Sequence, residues 1–264
     1  MNLTQYKIGV ALSGGGSKGL AHAGVLKYLD EIDCQPEIMA GSSAGSIVAS
    51  LYSFGKTPDE ILDFFQSIYF FHWKHFTLTK PGFIDSGAFK SYFTKIFGEA
   101  TIKDLKIKTL ITATDMVAGK LKVFSEDTKI EDAILASASF PGVMSPFEID
   151  GNLYSDGGIL NHFPTDLLRD QCETLIGVYV SPIQSITPKD LNSIKAVTAR
   201  AFDLLSAKSN ISKFEHCDWL IESRELCRYN TFETNKQRMK EIFTIGYETA
   251  KKSHEKFIDK GQKE

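Results

Sequence analysis

The sequence predicts an α/β fold with a mostly parallel central sheet flanked by helices. An apolar run, a turn of small residues and a helical pattern follow one another twice within the first fifty residues, the signature of strand–turn–helix units in a parallel sheet. Further strand-like runs recur near residues 109–125, 147–154 and 174–180, with a helical segment among them. No linker-like stretch divides the 264 residues, so the chain is read as one domain, 1–264. Its motif-bearing part spans about 7–180, and a helical remainder occupies 181–264.

Each element has a local reason. Lys7 to Ser13 is a buried strand, with Ile8, Val10 and Leu12 apolar and turn residues directly after. Lys18 to Glu31 carries Leu20, Ala23, Leu26 and Leu29 at helical spacing. A second short strand runs to about Ala40, the Gly41–Ser46 turn follows, and Ile47 to Phe54 continues as a helix stopped by Gly55. Thr57-Pro58-Asp59-Glu60 supplies an N-cap, a first-position proline and first-turn acids. Strands are expected at Thr109–Met116 and Lys120–Ser125, a helix at Glu131–Ser139 ending before Pro141, and a hairpin at Phe147–Tyr154 turning on Asp150-Gly151. Thr174–Val180 and Trp219–Glu222 are further strands. Asn235–Phe257 is a terminal helix with Met239, Ile242, Phe243, Gly246, Ala250 and Phe257 on one face.

Composition narrows the function classes. The chain is 42% hydrophobic and 24% charged, as in globular proteins, and its net charge of −3 gives no sequence-wide basic field for nucleic acid. Cys34, Cys172, Cys217 and Cys227 form no C-x-x-C pair, which argues against zinc-finger and thioredoxin-like sites and for a reducing compartment. The N-terminal apolar run ends in glycines, as a strand does, and no stretch of about 20 apolar residues is present. A cytoplasmic location, with contact at a membrane surface, is the expectation.

Ser13 to Gly19 reads SGGGSKG between a strand and a helix. Glycines there permit positive φ, and their N–H groups at a helix start suit negative charge, with Lys18 adding a cation. Gly14-x-Gly16-x-x-Gly19 fits a dinucleotide-binding fingerprint, a P-loop fails because Gly19 follows Lys18, and an oxyanion hole is a third reading. A structural turn without chemistry is the fourth. The second strand weighs against the dinucleotide, for it ends in Ala40-Gly41-Ser42 where a ribose-binding acid should stand.

Gly41-Ser42-Ser43-Ala44-Gly45 matches G-x-S-x-G in a strand–turn–helix setting. Glycines two before and two after Ser43 allow a sharp turn that exposes its Oγ, with a helix N-terminus behind it. A serine nucleophile needs a base. His216, in a late loop, is the best histidine for a triad, and His162, after a glycine turn, is second; His22 reads as a packing residue. Asp156-Gly157-Gly158 is an alternative, since an acid before two glycines can project from a tight turn.

Taken in order, GGGSKG, GSSAG and DGG resemble the patatin-like phospholipase family. Ala136-Ser137-Ala138-Ser139-Phe140-Pro141, Asn161 and Pro164 agree with it, and the resemblance covers about residues 7–180. It implies a three-layer α/β/α fold and a Ser43–Asp156 dyad without histidine. It also implies an oxyanion hole at Gly14, Gly15 and Gly16 with Lys18 and Gly19, an elbow formed by Gly41, Ala44 and Gly45, and an aspartate turn at Gly157 and Gly158. No metal or other cofactor is implied. The substrate class it implies is lipid esters: phospholipids, lysophospholipids or acylglycerols. A lipid-binding protein of this fold and a carboxylesterase with a histidine triad are the rival readings. The aromatic segment 64–76 is either core packing or a lid and acyl-binding wall that touches lipid.

Overall fold

The computed structural model describes residues 5–68, 77, 81–183 and 185–261. One eight-stranded sheet organises them: β1 (Tyr6–Leu12), β2 (Ile38–Ser42), β3 (Lys108–Asp115), β4 (Lys120–Val123), β5 (Phe147–Ile149), β6 (Asn152–Asp156), β7 (Cys172–Tyr179) and β8 (Trp219–Glu222). The order is β5-β6-β3-β2-β1-β7-β8, with β4 also on β3. The five strands from β3 to β8 in that order are parallel, and β4, β5 and β6 are antiparallel additions. The chain winds outward from β1 in both directions, to β2 and later to β7. Crevices at such reversals, beyond the C-terminal strand ends, are where α/β sheets place their ligands.

The helices are α1 (Leu20–Glu31), α2 (Ala44–Phe54), α3 (Pro58–Ser67), α4 (Lys90–Phe97), α5 (Ile130–Ala138), α6 (Gly158–Asn161), α7 (Ile194–Phe214) and α8 (Lys236–Gly261). Strand alternation divides the core between two faces. Val10, Leu12, Met39, Ile176 and Val178 join the larger cluster with α1, α2, α3, α5 and α8. Ala11, Ile38, Ala40, Leu175 and Tyr179 point the other way, toward Phe163, Leu168 and Phe214 of α7. The sheet thus lies between two helical layers.

Several element boundaries differ from the sequence expectation for local reasons. Gly16–Gly19 forms a tight 3-10 turn, so α1 begins at Leu20 rather than Lys18. α2 begins at Ala44 rather than Ile47, because the Ser43 carbonyl accepts the N–H groups of Ser46 and Ile47 directly after the turn. α3 starts as expected: Thr57 accepts from Glu60 N, and the Glu60 carboxylate accepts from Thr57 N. The hairpin turns on Asp150 and Gly151, both with positive φ. The 21-residue α7 lies in the remainder expected to be helical, but the sequence pattern does not set its bounds.

The remainder 181–264 is tied into the sheet and its layers. β8 pairs with β7, and α8 packs along α1. That crossing is close: a Cβ on Gly246 would stand 2.0 Å from the Ala21 carbonyl oxygen, and one on Gly24 would stand 1.9 Å from that of Phe243. In an open helix, glycine to alanine gains about 1 kcal/mol. Here overpacking against rigid backbone outweighs it, so Gly246→Ala is expected to destabilise the protein by about 1–3 kcal/mol. Urea denaturation checks the sign.

Candidate active site

β3 brings the two ends of the site together. Ser42, the last residue of β2, is in register with Thr112, and Asp156, the last of β6, is in register with Ala113. β4 occupies the opposite edge of Thr112–Asp115. β2 and β6 therefore run toward each other along one edge of β3, and their ends meet.

At the end of β2 the chain turns through Ser43, whose φ of 52° and ψ of −124° are rare for a residue with a side chain. The turn needs its glycines. A Cβ on Gly41 would lie 2.6 Å from the Gly45 backbone, and one on Gly45 would lie 2.3 Å from the Leu12 carbonyl oxygen. Ser43 Oγ donates to Asp156 Oδ2 at 2.6 Å, and Gly158 N donates to Asp156 Oδ1 at 2.7 Å. Asp156 is almost completely buried. Burial raises its carboxyl from 3.8 to about 6, partly opposed by the Ser43 and Gly158 hydrogen bonds.

The stretch 137–139 braces both residues. Ser137 Oγ accepts from Ser43 N at 2.9 Å, the Ser137 carbonyl accepts from Gly157 N, and the Ser139 carbonyl accepts from Asp156 N and Ser155 Oγ. Thr114 Oγ1 adds a bond to the Asp156 carbonyl. The sequence had marked the 136–141 run without giving Ser137 or Ser139 a task.

In the glycine loop the five expected residues separate in their tasks. Gly14 N donates to the His162 carbonyl, so that N–H is engaged. The Gly15 and Gly16 N–H groups carry no hydrogen bond among the described residues, and both residues line the pocket with Ser43. Gly16 has φ +58°, and a Cβ there would meet the Thr231 carbonyl at 2.2 Å. Ser17 N donates to that carbonyl and Ser17 Oγ to the Glu233 carbonyl, so the segment 231–233 fastens the loop. Gly19 packs against Ala44, where a Cβ would lie 2.7 Å from the alanine methyl. Lys18 lines the pocket, and burial holds its pKa below the ordinary value despite Asp203.

The histidines lie otherwise. His216 Nδ1 is 3.2 Å from Thr165 Oγ1, outside the residues that line the pocket. The His162 ring lines the same pocket as Asp156, but neither ring nitrogen has a hydrogen-bond partner among the described residues. Burial and the Lys18 charge push it down to about 3, so it is neutral. His22 is buried, neutral, and donates from Nε2 to the Ser13 carbonyl. Asn161 joins Asp166 and Lys213 of α7.

Behind Ser43 the pocket is apolar, walled by Ile47, Phe65, Ile68, Phe89, Phe140 and Phe232 among others, with about 920 Å³ of empty space including its mouth. Phe65 and Ile68 come from the aromatic segment, while Phe64 packs edge-on against Phe65 and tilted against Phe93. Tyr69, Phe70, Phe71, Trp73 and Phe76 lie outside the described residues. Among the described residues no helix is long and apolar enough to cross a membrane.

A serine on a strained strand–helix turn, with a carboxylate on its hydroxyl at the end of a parallel sheet, has the arrangement of an α/β hydrolase elbow. The chain belongs to the patatin-like phospholipase family, whose model matches residues 10–169. It is 29% identical over 229 residues to an uncharacterised NTE family protein of Mycobacterium tuberculosis, covering 78% of this chain and 61% of that one. It is also 29% identical over 187 residues to human patatin-like phospholipase domain-containing protein 6, covering 67% of this chain and 14% of the human protein. To lysophospholipase NTE1 of Candida glabrata it is 27% identical over 198 residues, 70% of this chain and 11% of the other. The chain thus spans about three fifths of the mycobacterial relative's length and a small part of the others'. Among solved structures, VipD from Legionella pneumophila aligns with a TM-score of 0.63 at 15% identity, over 96% of this chain and 67% of that one; the fold is shared.

The raised carboxyl has a stability consequence. A folded-state pKa above the unfolded one means the folded protein holds the proton more tightly. The stability this confers is present below pH about 4 and lost as pH rises through about 6. A shift of this size corresponds to about 3 kcal/mol as an order of magnitude. Asp156→Asn is therefore expected to be more stable than the parent by about 1–3 kcal/mol at pH 7.5, with the difference shrinking at pH 4. Urea unfolding at the two pH values measures it.

Proposed function

We propose that the protein is a lipid acyl hydrolase that cleaves carboxylic esters through an acyl-Ser43 intermediate, with Asp156 as the only base. The observation that carries this reading is the 2.6 Å hydrogen bond from Ser43 Oγ to Asp156 at the head of an apolar pocket. Family membership supports it, as does the name of the Candida relative, a lysophospholipase.

Chemistry starts with the Asp156 carboxylate ionised. Ser43 Oγ attacks the ester carbonyl carbon and its proton passes to Asp156 Oδ2. The carbonyl oxygen becomes an oxyanion facing the N–H groups of Gly15 and Gly16, donors held in place before the reaction. The carbon–alkoxy bond breaks, and the departing oxygen takes the proton from Asp156. A water then attacks the acyl carbon, gives its proton to Asp156, and releases the fatty acid as Ser43 Oγ recovers that proton. The apolar pocket holds the acyl chain throughout and excludes water from it. Lys18 and Asp203 both line the pocket beside the glycine loop, so a polar head there meets groups of either kind.

A fluorophosphonate probe is expected to label the protein at Ser43 and to leave Ser43→Ala unlabelled. Turnover of a p-nitrophenyl ester series should favour longer acyl chains. The Asp156→Asn variant should lose at least about a thousandfold in kcat/KM. In the parent, kcat/KM should rise about tenfold per pH unit up to pH about 6 and level above it, following Asp156 ionisation. Activity that survives Asp156→Asn and instead falls with His162→Ala would transfer the base to His162.

A further inference from the structure

α7 is apolar on two opposite sides. Its inner side faces the site: Phe202 lines the pocket and packs on Phe140 with ring centroids 4.8 Å apart, and Ser206 Oγ donates to the Gly158 carbonyl, two residues from Asp156. Residues 194, 197, 201, 204 and 205 recur at helical spacing on the other side. There Ile194 is 88% and Leu205 72% exposed, with Val197 and Leu204 about half exposed. An ordinary surface helix presents polar residues to water.

A second apolar residue lies on the same rim. Phe83 is 67% exposed, and its N–H donates to the Val143 carbonyl. The next residue back, Gly142, lies against α7, where a Cβ would stand 3.6 Å from Thr198 Cγ2. Met144, two residues on, lines the pocket. Exposed apolar groups thus flank the pocket wall on α7 and on the 83–144 segment.

Charge favours one occupant. α7 carries Lys195, Arg200, Lys208 and Lys213 against one acid, Asp203, in a chain whose net charge is −3; Lys213 is engaged inward with Asn161 and Asp166, and the other three still leave the helix net positive. An outward apolar stripe on a helix of net positive charge matches the boundary layer of an anionic bilayer. A protein partner would match the apolar residues but would not by itself account for the concentration of positive charge.

We propose that α7 is an interfacial helix: its outer face, with Phe83, beds into an anionic lipid surface, while its inner face walls the pocket that holds Ser43. A lipid then reaches the pocket along the helix without crossing water. The substrate route rests on the lipid-ester reading above; the docking does not.

The test uses the whole chain. Co-sedimentation is measured with vesicles of phosphatidylcholine alone and of phosphatidylcholine with one quarter phosphatidylglycerol. The variants are Ile194→Glu/Leu205→Glu and Phe83→Ser, none in the pocket. The parent is expected to sediment with the anionic vesicles, less so at high salt. The double variant should bind at least about tenfold more weakly, and Phe83→Ser should lose several-fold. Hydrolysis of a short soluble ester should stay within about twofold of the parent in both, while hydrolysis of vesicle phospholipid falls with binding. Binding that persists undiminished in the double variant overturns the proposal, as does a parent that sediments with neither vesicle. A concentration-dependent dimer abolished by Ile194→Glu/Leu205→Glu would reassign the stripe to a second copy of the chain and equally overturn it. If vesicles bind but no ester is cleaved, the docking stands and the hydrolase reading fails.

Discussion

The site depends on one hydrogen bond made where its acceptor is costly to keep charged. Ser43 Oγ donates to a carboxylate that burial would rather see protonated, and among the described residues that donor and the Gly158 N–H are what oppose the burial. An isolated buried carboxylate would take up a proton and cease to be an acceptor of this kind. Two donors hold it at an intermediate affinity, neither a strong acid nor a permanently neutral group. The serine in turn sits in a backbone conformation that few side chains tolerate. Both members of the pair are thus held in states that they would leave if the surroundings loosened.

The surroundings are built to prevent that. β3 fixes the ends of β2 and β6 through consecutive register positions, so the serine and the aspartate arrive from opposite directions along one edge. The 137–139 segment then bonds to Ser43 N, Gly157 N and Asp156 N together. Displacing any one of these groups would disturb the other two. On the far side of the pocket the glycine loop is held by Thr231 and Glu233 carbonyls, from a part of the chain more than two hundred residues away. The loop and the pair therefore rest on different supports, and α8, capped just after Glu233, ties the second support to α1.

This division explains what the sequence could convey. Ser43 was legible because everything that makes its turn, two glycines and a strand–helix junction, lies within a few residues. Asp156 was not legible by itself: an aspartate before two glycines is also an ordinary turn, and its bond spans 113 positions of sequence. Only the joint order of three motifs singled it out. Ser137 and Thr231 act through a hydroxyl and a backbone carbonyl, and neither role leaves a pattern in residue type. Gly14 illustrates the opposite error, since a motif glycine is assumed to offer its N–H and this one is already bonded to His162. Within the remainder expected to be helical, the bounds of α7 were not legible because Phe202 and Ala199 on one side and Ile194, Val197 and Leu205 on the other blur the apolar–polar contrast that marks a surface helix.

The same electrostatics say why a carboxylate can stand where hydrolases often use imidazole. A base should have a proton affinity near the working pH. Histidine in solution has it, and a solvated aspartate does not. Burial reverses the order here, because it disfavours charge in both but leaves opposite charged forms: it lifts Asp156 to about 6 and drops His162, in the same pocket, to about 3. The Lys18 charge drives the imidazole further down. On the reading proposed for this site, Asp156 has moved into the range that the buried His162 imidazole vacates. On the reading proposed for this site, the apolar environment that accommodates an acyl chain also equips the dyad. A polar replacement in the wall near Asp156 would therefore weaken both together.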